Sequence, residues 1–565
     1  MGSLVTKDFI VFIIYFLIVA GYGYWIYRRK SKNTSGDSKD YFLAEGSLTW
    51  WAIGASLIAS NISAEQFIGM SGEGFSSGIA VAAYEWVAAI SLIIIAVWFM
   101  PLYIKNKIYT MPQFLQMRYN STVALIMAVF WLFLYVFVNL TAILYLGAKA
   151  ISGLTGQQYF HIIIIGLALF ALIISLGGMK VIGYTDVIQV AVLIIGGTAA
   201  IYIALEKVDE VVNQGSSVAN GFKTLMNQSP EHFKMIFDKP TASSSAAYVQ
   251  KYVALPGITM YFAGQWIANL NYWGCNQYIT QRALGAQLET ARKGILFAGF
   301  IKIFMPIIVM LPGIAALVLY KNGYFDAAVF DGQKDGAYAA ILSLLPAGMK
   351  GLSVAALTAA IVASLAGKAN SISTIFTLDI YHKYFNKEAT EKKLVWIGRI
   401  TIIVALLISV FFTWDDLLGI GGEGGFTFIQ KYTGFISPGI FALFMLGMFW
   451  KRTTGLAAIV GLLAGLLMAI VFNNYAPAWF GNETWLYTAY LTNAEKGIYE
   501  IPFLVNMGWS FFITVLLMVL ISLAGPRKNP HAFEIDKTMF KVSPTVIILI
   551  TALTLLVVAL YAKFW

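Results

Sequence analysis

Apolar runs of about twenty residues recur along the whole chain, and a run of that length suits one purpose above others, crossing the hydrocarbon of a bilayer as a helix. They lie near 9–27, 50–72, 79–103, 120–147, 161–178, 185–204, 252–276, 294–320, 337–366, 396–413, 426–449, 455–473, 502–524 and 545–564. About fourteen spans predict an all-α polytopic membrane protein. The runs are unbroken, not alternating, which excludes a transmembrane β-barrel. Only 12% of residues are charged, against roughly a quarter in soluble domains. The first run resembles a signal sequence, but the basic Arg28, Arg29 and Lys30 follow it and no small-residue cleavage site is evident, so it reads as a retained helix. The single cysteine, Cys275, excludes a disulfide framework or a cysteine metal centre. The four histidines show no ligand spacing and there is no GxxxxGK[ST] loop, so neither a transition-metal cofactor nor ATP-driven chemistry is expected. No enzyme activity is expected either.

The formal charge of +10 is spread over many short segments. That argues against a nucleic-acid partner, which would need a basic patch interleaved with aromatics. It reads instead as a topology signal. Arg28, Arg29, Lys30, Lys32 and Lys39 follow the first span; Lys105, Lys107 and Arg118 the third; Arg282, Arg292 and Lys293 the seventh. Lys383, Lys387, Lys392 and Lys393 follow the ninth, Lys451 and Arg452 the eleventh, and Arg527, Lys528, Lys537 and Lys541 the thirteenth. Basic loops lie inside, so both termini are expected outside the inner (plasma) membrane of a bacterium. The long segment 205–251 reads as an extracytoplasmic surface loop.

Two spans are too polar to face lipid. The second, WWAIGASLIASNISAEQFIGMSGEGFSSG, carries Ser60, Asn61, Ser63, Glu65 and Gln66 at its centre. Such groups are costly at membrane depth unless they pair or line a cavity, and Ser, Asn and Gly favour local unwinding that frees backbone carbonyls. A seam of small residues between helices is the alternative. Span seven carries Gln265, Asn269, Asn271, Tyr272 and Asn276 and starts five spans later. Polar-interrupted helices at matching positions point to an inverted-repeat secondary transporter whose site forms between them. The predicted organisation is a first helix and loop (1–49), a first repeat (50–204), the loop (205–251), a second repeat (252–449) and three peripheral helices (450–565).

Ionisable residues inside spans add to this. Glu85 lies in span three, Asp186 opens span six, Lys302 lies in span eight and Lys368 near the inner end of span nine. Each costs roughly 2.5–3.5 kcal/mol at a helix centre. Snorkelling is the alternative for the two lysines, and a helix N-cap for Asp186. If Gln66, Glu85, Asn269, Lys302 and Gln430 converge, they offer amides, one carboxylate and one ammonium. A neutral polyhydroxyl ligand, a sugar or polyol, suits that set, whereas an amino acid would call for a helix N-terminus and an amine counter-ion. Sodium needs hard oxygens, which unwound carbonyls near Ala59 and Ile62 and the Ser364 hydroxyl supply; back-bonding of Ser364 to its own helix is the alternative.

DYFLAEGSLTWWAIGASLIASNISAEQFIG, GGMKVIGYTDVIQV, NYWGCNQYITQR, AAIVASLA with NSISTIFTLDIY, and IQKYTGFISPGI resemble the sodium/solute symporter family, most of all its bacterial sodium/galactose branch, along almost the whole chain. The resemblance implies a leucine-transporter-type 5+5 inverted repeat working by alternating access. It implies sugar binding by Gln66, Glu85, Asn269, Lys302 and Gln430, and an inner gate at Tyr272 steadied by Asn61. Met70, Tyr84 and Phe426 would close the outer side. The sodium site would use carbonyls of Ala59, Ile62 and Ala360 with the Ser364 hydroxyl, and Asp186 nearby. Two positions depart from the branch: Ala88 and Ala363 stand where serines are expected. Lys368 stands where an apolar residue is expected, one helical turn from Ser364, and its ammonium is expected to perturb or partly replace the bound cation.

The expected function is thus sodium-driven sugar uptake, with sodium, sugar and lipid as partners and no obligate protein partner. A symporter of myo-inositol or another polyol is the alternative within the class. A channel or a transport-like sensor is the alternative outside it; a sensor would carry a signalling domain, and after about residue 525 only a basic loop and one span remain.

Overall fold

The computed structural model describes residues 4–30, 49–108, 110–155, 157–175, 179–284, 286–330 and 333–565. The side chains of Arg28, Arg29 and Lys30 and all of 31–48, which carry the first basic loop, lie outside the described residues, as does the side chain of Asp186. Among the described residues, 9 helices are long and apolar enough to cross a membrane, or 10 when the bent pair Gly425–Gly434 and Ser437–Phe449 counts as one. The chain is a multi-pass membrane protein. The tally falls below the number of apolar runs partly because polar segments are broken into shorter helices. Span seven, for example, is Ala246–Ala254, Thr259–Phe262 and Gln265–Cys275.

The chain divides into two compact units. The first comprises residues 1–82, 131–233 and 300–429. At its centre runs Met349–Thr374, a helix buried on nearly every face. It packs against Thr6–Lys30, Trp50–Asn61, Thr141–Thr155, Phe160–Ser175, Met179–Asn213 and Glu391–Trp414. Enclosed on all sides, it has no solvent face, and its many Ala residues let six neighbours approach. Its N-terminus is capped from another helix: Asp8 Oδ1 accepts from the N–H groups of Gly348 at 2.7 Å and Gly351 at 2.9 Å. A carboxylate there satisfies orphan donors and complements the helix dipole. At Gly78 the chain turns sharply with φ 77, and a Cβ there would stand 2.3 Å from the His232 carbonyl oxygen, so only glycine fits. The segment 205–251 is more ordered than a plain loop. Met179–Asn213 runs on into it, and Val218–Gln228 packs back on that helix, capped by the Ser217 hydroxyl.

The second unit comprises 83–130, 234–299 and 430–565. Gln265–Cys275 packs on Ala83–Ile94 and on Ser437–Phe449, which in turn packs on Gly455–Asn474 and Phe503–Leu523. Pro544–Phe564 is the least buried of the candidate spans, at 17%; its apolar exposure suits lipid contact. A short antiparallel ribbon, Tyr490–Asn493 with Ile498–Glu500, sits between two of these helices in sequence. Two buried arginines tie connections down by donating to backbone carbonyls. Arg118 donates to Gly447 at 2.7 Å and to Trp450 and Thr453 at 3.0 Å, and so closes the C-terminus of Ser437–Phe449. Arg292 does the same for the carbonyls of Ala96, Met539 and Lys541.

Replacing Arg118 by Met takes the donor from the Gly447 carbonyl, while Trp450 still accepts from the Thr453 hydroxyl and Thr453 from Asn529 Nδ2, and is expected to cost about 1–3 kcal/mol of stability. The check is the apparent melting temperature of the purified protein in detergent; an unchanged value would show that the clamp contributes nothing.

Candidate functional site

The polar centre of the second span is where the backbone breaks. Trp50–Asn61 ends at Ile62, which is extended at φ −70, ψ 113. The Ile62 N–H closes on the Ile58 carbonyl at 2.7 Å, and pairing resumes with Gln66 and Phe67 N–H on the Ser63 carbonyl. The carbonyls of Ala59 and Ile62 thus stand outside both ladders among the described residues. The chain continues as a π-helical turn, Glu65–Gly69, a geometry that concentrates at functional sites.

Trp50–Asn61 packs against Met349–Thr374, which carries Ala360 and Ser364. Other hydroxyls of that helix bond back one turn: Thr358 to Val354 at 2.8 Å, Ser371 to Gly367 at 3.1 Å, Thr374 to Asn370 at 2.9 Å. Ser364 does not. It is 0% exposed and its Oγ has no hydrogen-bond partner, so the back-bonding alternative is set aside. Free carbonyls and a hydroxyl are hard, uncharged donors of the kind sodium takes. Among the described residues no group of three or more His, Cys, Asp or Glu could hold another metal. Asp186 falls well inside Met179–Asn213, so it does not cap that helix.

The first unit also holds Gln66, Asn61, Met70, Lys302 and Phe426, all buried. Gln66 Oε1 has no hydrogen-bond partner. Phe426 abuts the π-helical turn so closely that a Cβ on Gly69 would stand 2.8 Å from its Cβ. Lys302 is 1% exposed and Lys368 2%, so neither lysine snorkels to an interface. The second unit holds Glu85, Tyr84 and Asn269, all buried, with Tyr272 and Gln430 half-buried. Tyr272 meets Trp273 edge-on at 5.3 Å. Asn269 donates to the Gln265 carbonyl at 3.0 Å. Gln265 itself is 0% exposed with neither amide atom hydrogen-bonded, a state that costs about 1–3 kcal/mol for each unmet group. Its polarity is plain in the sequence, but only packing reveals that nothing around it answers that polarity.

A charge network absent from the sequence reading lies in the first unit. Glu73, buried on Met70–Ser77, accepts from Lys334 Nζ and Thr427 Oγ1, each at 2.5 Å. Next to Lys334, in the connection before Met349–Thr374, Asp335 Oδ2 accepts from the Gly425 N–H at 2.9 Å. Burial pushes the Asp335 carboxyl up to about 6, assisted by Glu73 and opposed by Lys334, the Gly425 N–H and Lys149. The network holds the residues on either side of Phe426.

Comparison with known proteins shows the family. The model of the sodium:solute symporter family matches residues 41–465. The chain is 40% identical over 571 residues to a sodium/glucose cotransporter of Vibrio parahaemolyticus, covering 99% of this chain and 98% of that one. It is 32% identical over 484 residues to sodium/myo-inositol cotransporter 2 of Homo sapiens, covering 82% and 69%. A solved Na+-coupled sialic acid symporter, in a substrate-bound outward-open state, shares the fold with a TM-score of 0.72 at 19% identity, over 93% of this chain and 99% of that one.

Two outcomes follow from the unmet groups. An Asp335 carboxyl near 6, against 3.8 ordinarily, favours the folded state when protonated. Its contribution, on the order of 3 kcal/mol at most, is fully present below about pH 4 and lost as pH rises through 6. Melting curves between pH 4 and 8 should show a fall with rising pH that Asp335→Asn flattens; parallel curves for the two proteins would contradict this. Gln265→Leu is expected to raise the melting temperature if the amide serves folding alone, and to impair uptake if a bound solute uses it.

Proposed function

This chain belongs to the sodium:solute symporter family, and we propose that it is a secondary active symporter taking up a sugar of the glucose or galactose type. It is a sodium-coupled transporter and not an enzyme, and sodium is its coupling ion. The sugar reading is supported by the relative's name and by the chemistry of five residues. Gln66, Glu85, Asn269, Lys302 and Gln430 would hydrogen-bond the hydroxyls. Tyr272, steadied by Asn61, would stack on the ring as the inner gate, with Met70, Tyr84 and Phe426 on the outer side.

The observation that carries the ion site is the Ser364 hydroxyl, buried and unpaired in a helix where the hydroxyls of Thr358, Ser371 and Thr374 bond back. With the carbonyls of Ala59, Ile62 and Ala360 it would ligate sodium, Asp186 acting nearby on release. Sodium entry supplies about 2.3 kcal/mol per 100 mV before any concentration term. Coupling follows if bound sodium favours the state to which sugar binds; sugar then raises sodium affinity by the same factor.

The shared fold supports an arrangement of about fourteen spans around a 5+5 inverted repeat, divided at 1–49, 50–204, 205–251, 252–449 and 450–565. The basic loops support a bacterial inner-membrane protein with both termini outside. A second reading, transport of myo-inositol or another polyol, is favoured by Ala88, which lacks the hydroxyl expected of the galactose branch, and by the myo-inositol relatives.

A panel of labelled sugars and polyols taken up by proteoliposomes, run in sodium and in choline, tests the reading. Accumulation of a hexose only in sodium is expected; indifference to sodium would sink it. Gln66→Ala or Glu85→Ala should abolish sugar binding in protein that still folds.

A further inference from the structure

One buried charge takes no part in the reaction so far described. Lys368 is 2% exposed on Met349–Thr374, four residues after Ser364 and so on the same face. Helical side chains lean toward the N-terminus of their helix, the direction in which Ser364 lies from Lys368. The charge of Glu65 acts on it. Glu65 is also buried, stands three residues past Ile62 at the resumption of the broken helix, and has one carboxylate oxygen without a hydrogen bond. A basic and an acidic side chain, both buried, therefore adjoin the two segments that supply the proposed sodium ligands.

We propose that Lys368 is a tethered cation that opposes sodium electrostatically at the Ser364 site and sets the sodium concentration at which the transporter works. The proposal rests on the sodium site assigned above. An ammonium has three donors and no acceptor, so Lys368 is no ligand and acts through its field. Like charges about a helical turn apart in a poorly screened interior repel well beyond thermal energy. Glu65 offsets part of that repulsion. Neutralising Lys368 therefore strengthens sodium binding, and neutralising Glu65 weakens it.

The half-saturating sodium concentration for uptake, together with the sodium-induced rise in melting temperature, tests this in wild type, Ser364→Ala, Lys368→Met, Lys368→Gln, Lys368→Arg and Glu65→Gln. Lys368→Met and the isopolar Lys368→Gln should each lower the half-saturating sodium roughly tenfold, a typical coupling between sites. Lys368→Arg should keep it near wild type, and Glu65→Gln should raise it. A lysine that merely neutralises Glu65 within the packing would leave half-saturating sodium unchanged in both neutral variants while lowering maximal uptake and melting temperature; that result overturns the inference. Ser364→Ala separates the two claims. If it raises half-saturating sodium and the Lys368 variants do not shift it, the site stands and the inference falls; if it has no effect, the site itself is wrong and the inference falls with it.

Discussion

At membrane depth no water stands ready to satisfy a peptide group, so a helix can be interrupted only where something else answers its carbonyls. The interruption between Asn61 and Glu65 obeys that constraint, and much of the first unit follows from it. The segment must be enclosed by protein; Trp50–Asn61 accordingly packs on the most deeply buried helix of the unit, Met349–Thr374. The freed carbonyls must have a use; a hydroxyl that declines its own helix, Ser364, lies on that neighbour. A break that would be a defect in a lipid-facing span becomes the reason for the arrangement around it.

The second unit meets the same constraint differently. Where Gln265–Cys275 gives out at Asn276, the Gly274 carbonyl accepts from the Tyr103 hydroxyl at 2.8 Å, and Gln277 accepts from the Met111 N–H at 2.6 Å. One break leaves carbonyl oxygens available, and the other gives its Gly274 carbonyl to a tyrosine hydroxyl and anchors the Gln277 side-chain oxygen on a backbone N–H. That contrast separates a segment suited to an ion from one suited to holding a helix end.

Much of this was legible in the sequence because hydropathy and polarity are local. The multi-pass helical class, the breaks in the second and seventh apolar runs and the family follow from residues read in order. Long-range pairing was not legible. Glu73 meets Lys334 across 261 residues, and nothing near either residue announces the other. Lys302 and Lys368 read equally well as snorkelling or buried, since hydropathy counts a charge without knowing where its stem leads. The hydroxyl of Ser364 turns on a rotamer, which no pattern encodes. Segment 205–251 misled for a related reason: its helices are amphipathic and short, so an apolar window passes over them.

The clamps made by Arg118 and Arg292 place all their specificity on one side of each contact. Their acceptors are main-chain carbonyls, which every amino acid provides. The segments they hold, around 447–453 and 539–541, are therefore free to change side chains over evolutionary time without losing the tie, while the arginines are not. Lysine offers no fork of donors with which to replace them. The fold thus concentrates the heritable requirement in single guanidinium groups and leaves the connecting loops open to variation.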